Sequence, residues 1–373
     1  MKALTFSEAK GVTVEEKAVP ELLSGHALIQ VLVGGICSTD IQITKGYVPG
    51  YNHTLGHEFI GKVIKCEDSL IVGARVVADI NVCDPARKDA YEEPTFWRNH
   101  EPNRTVLGII GRDGAFSEFI CLPVRNLHVV PQSIPDKVAV FAEPLAAACR
   151  IVEQGLLTRG MKAAVVGIGK LGALVAQVLL SEGKRWGVSS VTAVGKHQAT
   201  LDMLQETQGE GKPALCKRLL RDLTDNEKAG YFDLVVDTTG TPEGFHLALG
   251  MTRPMGTVVL KSTCSTAPSA SALKEIPWQV HANDIVVNEK RVIGSRCGPF
   301  PLALQLLQKH PEIRQLCEKM VTAEYALSDG VNAVEKAKEK GVLKVLLHAL
   351  GGGGDGWAVE VGVQAGSNTA NGS

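Results

Sequence analysis

Aromatic residues make up only 5% of this 373-residue chain, and no run of like charge stands out among its 39 basic and 40 acidic side chains. A net charge of −1 spread this evenly offers no grip on a phosphate backbone or an anionic lipid surface, so neither nucleic acid nor membrane is an expected partner. No apolar run approaches the roughly 20 residues that a bilayer-crossing helix needs. The opening residues MKALTFSEAKGVTVEE lack a basic segment followed by an apolar stretch, and no cleaved targeting peptide is expected. Nine cysteines, an odd number, lie scattered over the whole length without a regular framework. That pattern argues against a disulfide-stapled secreted protein and fits reduced thiols in the cytoplasm.

What is abundant is Val, Leu, Ala and Gly, the composition of a soluble α/β protein long enough for about two domains. Residues 1–150 hold short alternating segments such as HALIQVLV and SEFICLPV between Gly, Pro and Asn turns, which predicts a strand-rich domain. From 151 to 292 the pattern becomes strand then helix: KAAVVGIG before KLGALVAQVLL, SVTAVG before ATLDMLQET, then DLVVDTTG and GTVVLKST. Such alternation predicts a parallel sheet covered by helices. PLALQLLQKH and GVNAVEKAKEK follow as helix-like stretches, then the apolar GVLKVLLHAL. The Gly-rich, polar residues 351–373 cannot bury enough surface to offset their ordering entropy, so a disordered tail is expected. SEGKRWGVSS and GEGKPALCKRLLRDLTDNEKAG read as surface elaborations of the second domain.

In AAVVGIGKLGALVAQVLL, Gly167, Gly169 and Gly172 are spaced G-x-G-x-x-G around Lys170 and Leu171. Three glycines alone are a weak signal. Here an apolar strand runs into them, and Leu171, Leu174, Val175, Val178 and Leu179 recur behind them at helical spacing. A strand–turn–helix of this kind lets backbone approach a pyrophosphate at the positive end of the helix. The next strand ends in Gly195-Lys196-His197, with no carboxylate where an NAD site usually has one. A cation ready to pair with a 2′-phosphate favours NADP over NAD. The alternative is an acid supplied by Asp202, farther into the next helix.

A second cluster lies in GGICSTDIQITKGYVPGYNHTLGHEF. Cys37, His57 and Glu58 offer one soft and two harder ligands, a set suited to Zn²⁺. Glu143, inside the apolar FAEPLAAACRI, is a carboxylate that is costly to bury unless paired or metal-bound. Asp40 lies close enough in sequence to hold a ligand imidazole, and Thr39 offers a hydroxyl beside the metal. Taken singly, Cys37 reads as a small buried hydrophobe, His57 as a loop histidine and Glu58 as a surface charge. Their joint occurrence ahead of a dinucleotide fold favours the metal site.

GGICSTD, LGHEFIGKV, AVFAEPLAAA and VVGIGKLG, in this order, resemble the zinc-containing medium-chain alcohol dehydrogenase family. The branch with sorbitol-type and threonine dehydrogenases is nearest, because it also carries Glu-Pro where other members have cysteine. The resemblance implies an α/β protein with a GroES-like β-barrel catalytic domain, 1–150 and 293–350, and an inserted Rossmann doubly wound parallel sheet, 151–292. By the same resemblance Cys37 and His57 are zinc ligands, and Glu143 is a third ligand or the holder of a zinc-bound water. Glu58 is then a close or alternating ligand, Thr39 takes the alcohol proton, and Asp40 orients His57. The implied reaction is hydride transfer between NAD(P) and a secondary alcohol, polyol or hydroxy-amino acid, or ketone and aldehyde reduction in reverse. A homodimer is the family expectation.

Many relatives carry a structural zinc on four closely spaced cysteines. INVCDPARKDAYEEPTFWRNHEPNRTVLGI offers only Cys83 and His100, too few for a closed tetrahedral site. One zinc per chain is therefore expected, with the lobe packed on Tyr91, Phe96 and Trp97. CSTDIQI has Gln42 where some relatives have a proton-delivering histidine, and glutamine does not titrate near neutrality. Two other readings are a zinc-free quinone or enone reductase of the same superfamily and a cofactor-binding protein without turnover. The first has no need of Cys37, His57 and Glu143 together.

Overall fold

A computed structural model describes residues 1–84, 96–207, 210–263, 277–349 and the pair 359–360. By packing, the chain forms two units, each assembled from separated segments: 1–73, 106–122 and 319–373 in one, 74–105 and 123–318 in the other. This division differs from the expected 1–150, 151–292 and 293–350. The helix Ala142–Glu153 packs on the helices Lys170–Trp186 and Phe300–Lys309, which draws its surroundings into the second unit.

The first unit is built on antiparallel strands. Lys2–Ser7 pairs with Gly11–Glu16 on one side and Asn52–Thr54 on the other. The long strand His26–Ile36 pairs with Glu58–Cys66 and with Lys344–His348, and the last of these lies parallel to Val321–Ala326. In His26–Ile36 burial alternates along HALIQVLV, as period-two patterning requires of a strand with one face on a core. Ala27, Ile29, Val31 and Val33 point inward. Within 351–373 only Val359–Glu360 is described, as a short strand antiparallel to Val321–Ala326.

In the second unit six parallel strands form one sheet. In chain order they are Lys162–Val166, Ser190–Gly195, Ala214–Leu219, Phe232–Asp237, Thr252–Leu260 and Arg291–Gly294. Laterally they run third, second, first, fourth, fifth, sixth, the doubly wound order with its reversal between the first and fourth strands. Ala164, Val166, Val194, Phe232, Val235 and Val258 share one core with Leu249 and Met251. Both faces of the inner strands are covered, so these segments read as near-continuous apolar runs. Each fully buried Val or Leu contributes about 1.5–3 kcal/mol. The third strand comes from GEGKPALCKRLLRDLTDNEKAG, which corrects its reading as surface elaboration. As a half-buried edge strand it carries Lys217 and Arg218 and shows no apolar run. Among the described residues no helix is long and apolar enough to cross a membrane.

Candidate metal centre and dinucleotide turn

Cys37 follows the long strand of the first unit and is the N-cap of the short helix Ser38–Ile43. His57 and Glu58 stand where the partner strand Glu58–Cys66 begins, and the pairing sets Gly35 opposite Glu58. Register therefore gathers residues 20 positions apart. One ligand atom each from Cys37, His57 and Glu58 lie within 4.8 Å of one another, and both His57 and Glu58 are buried. Tetrahedral zinc with bonds of about 2.0–2.3 Å needs ligand atoms at this order of separation.

Asp40 ties the cluster together. Fully buried, it accepts the Cys37 N–H on Oδ2 at 2.8 Å and the Gly56 N–H on Oδ1 at 3.3 Å. The same Oδ1 lies 3.3 Å from His57 Nδ1, an ion-pair distance off the hydrogen-bond line. With Nδ1 turned to a carboxylate, Nε2 is the nitrogen left for a metal. Burial alone would lower the His57 pKa, but Asp40 and then Cys37 outweigh it and hold the imidazole well above its ordinary value. Thr39 is half-buried, its hydroxyl 3.8 Å from Cys37 Sγ.

Sequence reasoning missed Lys344. Its ammonium forms an ion pair with Glu58 Oε2, both side chains almost wholly buried, and lies 3.4 Å from the Ile36 carbonyl. Burial pulls the lysine pKa down, but Glu58, then Cys37, push it up further and leave it raised. The other oxygen, Glu58 Oε1, is buried with no hydrogen-bond partner. Orphaned buried acceptors are rare in folded proteins, and one at a cluster of thiol and imidazole fits a metal cation.

Glu143 belongs to the second unit, half-buried in the first turn of Ala142–Glu153. Its charge acts on Lys261, another residue that sequence reasoning missed. Lys261 follows the fifth strand, is 8% exposed and donates to Ser295 Oγ at 2.9 Å and the Arg296 carbonyl at 2.8 Å. Burial depresses its pKa to about 7, against upward pulls from Cys297 and Glu143. Cys297 is half-buried, its thiol pushed up by burial and then by Glu143. Tyr91 lies outside the described residues.

The Gly-rich turn sits at the lateral reversal of strand order, where open α/β sheets bind ligands. Two of its glycines answer to protein packing. A Cβ on Gly167, whose φ is +95°, would meet Thr239 Cγ2 at 2.8 Å, and one on Gly172 would strike the Gly167 carbonyl oxygen at 2.1 Å. At Gly169 an added Cβ would meet nothing within 4 Å. Nothing in the fold requires glycine there, whereas a pyrophosphate lying on the turn would fill that space. Lys170 and Leu171 open the helix behind it, whose N-cap Gly169 has no side chain to use up the first-turn N–H groups.

Gly195 ends the second strand, and Lys196 and His197 follow it, both exposed. The Asp202 carboxylate accepts from Gln198 at 2.8 Å at the end of the next helix. In the lobe, Trp97 is 55% exposed, which corrects the expectation that it packs there, and nothing is described of Tyr91 or the Phe96 side chain. Cys83 is buried, its thiol 3.7 Å from the Arg98 carbonyl, and His100 is exposed. Around them runs a polar network: Arg98 pairs with Asp79, Asn81 donates to Asn99, and Asn126 donates to the Asp79 and Asn81 carbonyls.

The model of the alcohol dehydrogenase GroES-like domain matches residues 24–132. Over 371 residues the chain is 26% identical to the (R,R)-butanediol dehydrogenase of Bacillus subtilis, covering 93% of this chain and 99% of that one. It is 27% identical over 362 residues to a sorbitol dehydrogenase of Halalkalibacterium halodurans, with the same coverage. The glucose dehydrogenase of Haloferax mediterranei, solved in complex with NADP, Zn and gluconolactone, shares the fold with a TM-score of 0.74 at 23% identity, over 93% of this chain and 99% of that one. The chain thus carries an alcohol dehydrogenase GroES-like domain, is similar over nearly its whole length to medium-chain dehydrogenases such as these, and brings together a cluster able to hold a metal and a doubly wound sheet.

Proposed function

We propose that the chain is a zinc-dependent, NAD(P)-linked oxidoreductase that oxidises a secondary alcohol, polyol or hydroxy-amino acid and reduces the matching ketone or aldehyde. The observation that carries this reading is the buried gathering of Cys37, His57 and Glu58. A zinc-free reductase would have no use for it. Cys37 and His57 would hold the zinc, and Glu143 would be a third ligand or the holder of a zinc-bound water. Glu58, with one oxygen on Lys344, would serve as an alternating ligand through Oε1. Bound zinc supplies Lewis acidity toward the alcohol oxygen, and bound nicotinamide supplies the hydride acceptor.

The chain's own residues do the rest. Thr39 takes the hydroxyl proton beside Cys37, and Asp40 keeps the imidazole of His57 in one orientation. Gly167, Gly169 and Gly172 let the turn backbone approach the pyrophosphate, with Lys170 and Leu171 presenting the helix start. Lys196, exposed at the end of the second strand beside Gly195 and His197, pairs with a 2′-phosphate and favours NADP over NAD. A homodimer through the second unit is supported by the exposed edge strand Arg291–Gly294 and by Trp278, Val280, Val286 and Val287, left exposed on the helix Trp278–Val287.

The test is turnover with NADP and NAD on a panel of polyols, secondary alcohols and hydroxy-amino acids, before and after zinc removal. Zinc-dependent oxidation of at least one class is expected. Turnover indifferent to chelation would contradict the reading. Lys196→Asp should shift the NADP-to-NAD efficiency ratio toward NAD by about tenfold or more, the loss of one charge-assisted contact plus an added repulsion.

A further inference from the structure

From the contacts beneath the Gly-rich turn we infer that Thr238 is a positioning residue for the dinucleotide, acting through the carbonyl of Gly167. The inference rests on the cofactor reading above and adds a residue to it. Thr238 immediately follows the fourth strand, and the Gly-rich turn follows the first. These two strands are neighbours and flank the point where strand order reverses.

The Thr238 hydroxyl lies 2.6 Å from the Gly167 carbonyl oxygen and 3.0 Å from that of Val166, and the Thr238 N–H donates to the Val166 carbonyl at 3.0 Å. A hydroxyl has one proton to give, and the shorter distance assigns it to Gly167. Thr238 is itself held from the far side. Its carbonyl accepts the Ser262 hydroxyl at 2.9 Å, and the adjoining Thr239 is fixed to Asp237 Oδ1 through its N–H at 2.8 Å and its hydroxyl at 2.7 Å. The three turns after the first, fourth and fifth strands are thus cross-linked in series, with Thr238 as the middle link.

The consequence for a ligand follows from peptide geometry. A trans peptide sends its C=O and N–H in opposite directions. Pinning the Gly167 carbonyl on Thr238 therefore directs the Ile168 N–H away from Thr238. The fit is close: a Cβ on Gly172 would meet the same Thr238 hydroxyl at 2.7 Å, and one on Gly167 would meet it at 3.1 Å. Without the hydroxyl, the Gly167 carbonyl keeps only the Gly169 N–H, at 2.8 Å within the turn itself, and loses its tie to the neighbouring strand, so the Gly167–Ile168 peptide gains freedom that binding must remove again.

The experiment is titration of the full-length protein with NADPH and NADH by fluorescence, for wild type, Thr238→Val and Thr238→Ser. The valine variant keeps the shape and should bind the preferred cofactor about tenfold more weakly. Serine restores the hydroxyl and should bind like wild type, and kcat at saturating cofactor should change less than the cofactor KM. Thr238→Ala, which adds no methyl under the turn, is the second hydroxyl-free variant and should behave like the valine. Hydroxyl-free protein that binds within twofold of wild type overturns the inference, as does a serine variant as weak as the valine one. If wild type binds neither NADPH nor NADH, the cofactor reading itself falls and this inference with it. That outcome is recognised by its presence before any substitution is made.

Discussion

The two halves of the proposed chemistry are built on opposite principles. The metal cluster of the first unit is held by charge. Asp40, His57, Glu58 and Lys344 are buried ionisable groups that remain in place because each has a partner of suitable sign or a hydrogen bond. The Gly-rich turn of the second unit is held by shape: two glycines fit against Thr238, Thr239 and the turn's own backbone, and a third leaves open space. A site held by charge fails when a partner is removed. A site held by shape fails when an atom is added.

The sharpest break in that comparison is Cys37→Ser. It should abolish zinc binding and nearly all turnover while leaving cofactor affinity within a factor of about two, because the turn shares no residue with the cluster. Metal analysis beside the cofactor titration checks both halves. Next comes Lys344→Met, which strands Glu58 as a buried, unpaired carboxylate. Urea denaturation of the metal-free protein should show a loss of about 3–5 kcal/mol, and added zinc should recover part of it by supplying the missing cation. A loss below about 1 kcal/mol would mean that the pair is solvent-relaxed and the cluster is not charge-held.

On the shape-held side, Gly172→Ala forces a methyl onto the Gly167 carbonyl and should cost about 1–3 kcal/mol of stability. Gly169→Ala meets no protein atom and should leave stability unchanged, yet weaken cofactor binding several-fold, by roughly 1 kcal/mol of displaced phosphate contact. Equal effects at the two positions would remove the distinction between packing glycine and ligand glycine. A pH-dependent effect, outside both the cluster and the turn, is expected at Lys261. Its folded pKa of about 7 lies below the ordinary lysine value, so between about pH 7 and 10 the native state binds fewer protons than the unfolded one. Stability should therefore rise with pH across that window. Lys261→Met should raise the melting temperature at pH 7 and flatten the rise.

How much of this was legible in the sequence depended on whether a residue's environment is written in its neighbours. The inner sheet strands and the turn were legible because apolar runs and glycine spacing are local. The edge strand Ala214–Leu219 was not, since Lys217 and Arg218 interrupt its apolar residues. The helix Pro311–Met320 was also missed behind its charged residues, although Ile313, Leu316, Cys317 and Met320 sit at helical spacing and are buried. In the metal cluster, Cys37, Asp40, His57 and Glu58 share one short stretch and could be grouped by residue type. Lys344 stands 286 residues from Glu58 in an apolar strand, and no local pattern pairs them. Only the antiparallel pairing of Lys344–His348 with His26–Ile36 brings the ammonium to the carboxylate. Lys261 and Thr238 were hidden in the same way, because their meaning lies in the turns of neighbouring strands.

The central claim, a metal site and a cofactor site in one chain, is tested most directly by zinc content. Elemental analysis of protein purified without chelator, with NADPH and NADH titrated into the same sample, gives both readings at once. The account predicts about one zinc per chain and tighter binding of NADPH than NADH. Protein that binds a dinucleotide but carries no zinc would contradict it, and Cys37 would then be a core thiol rather than a ligand.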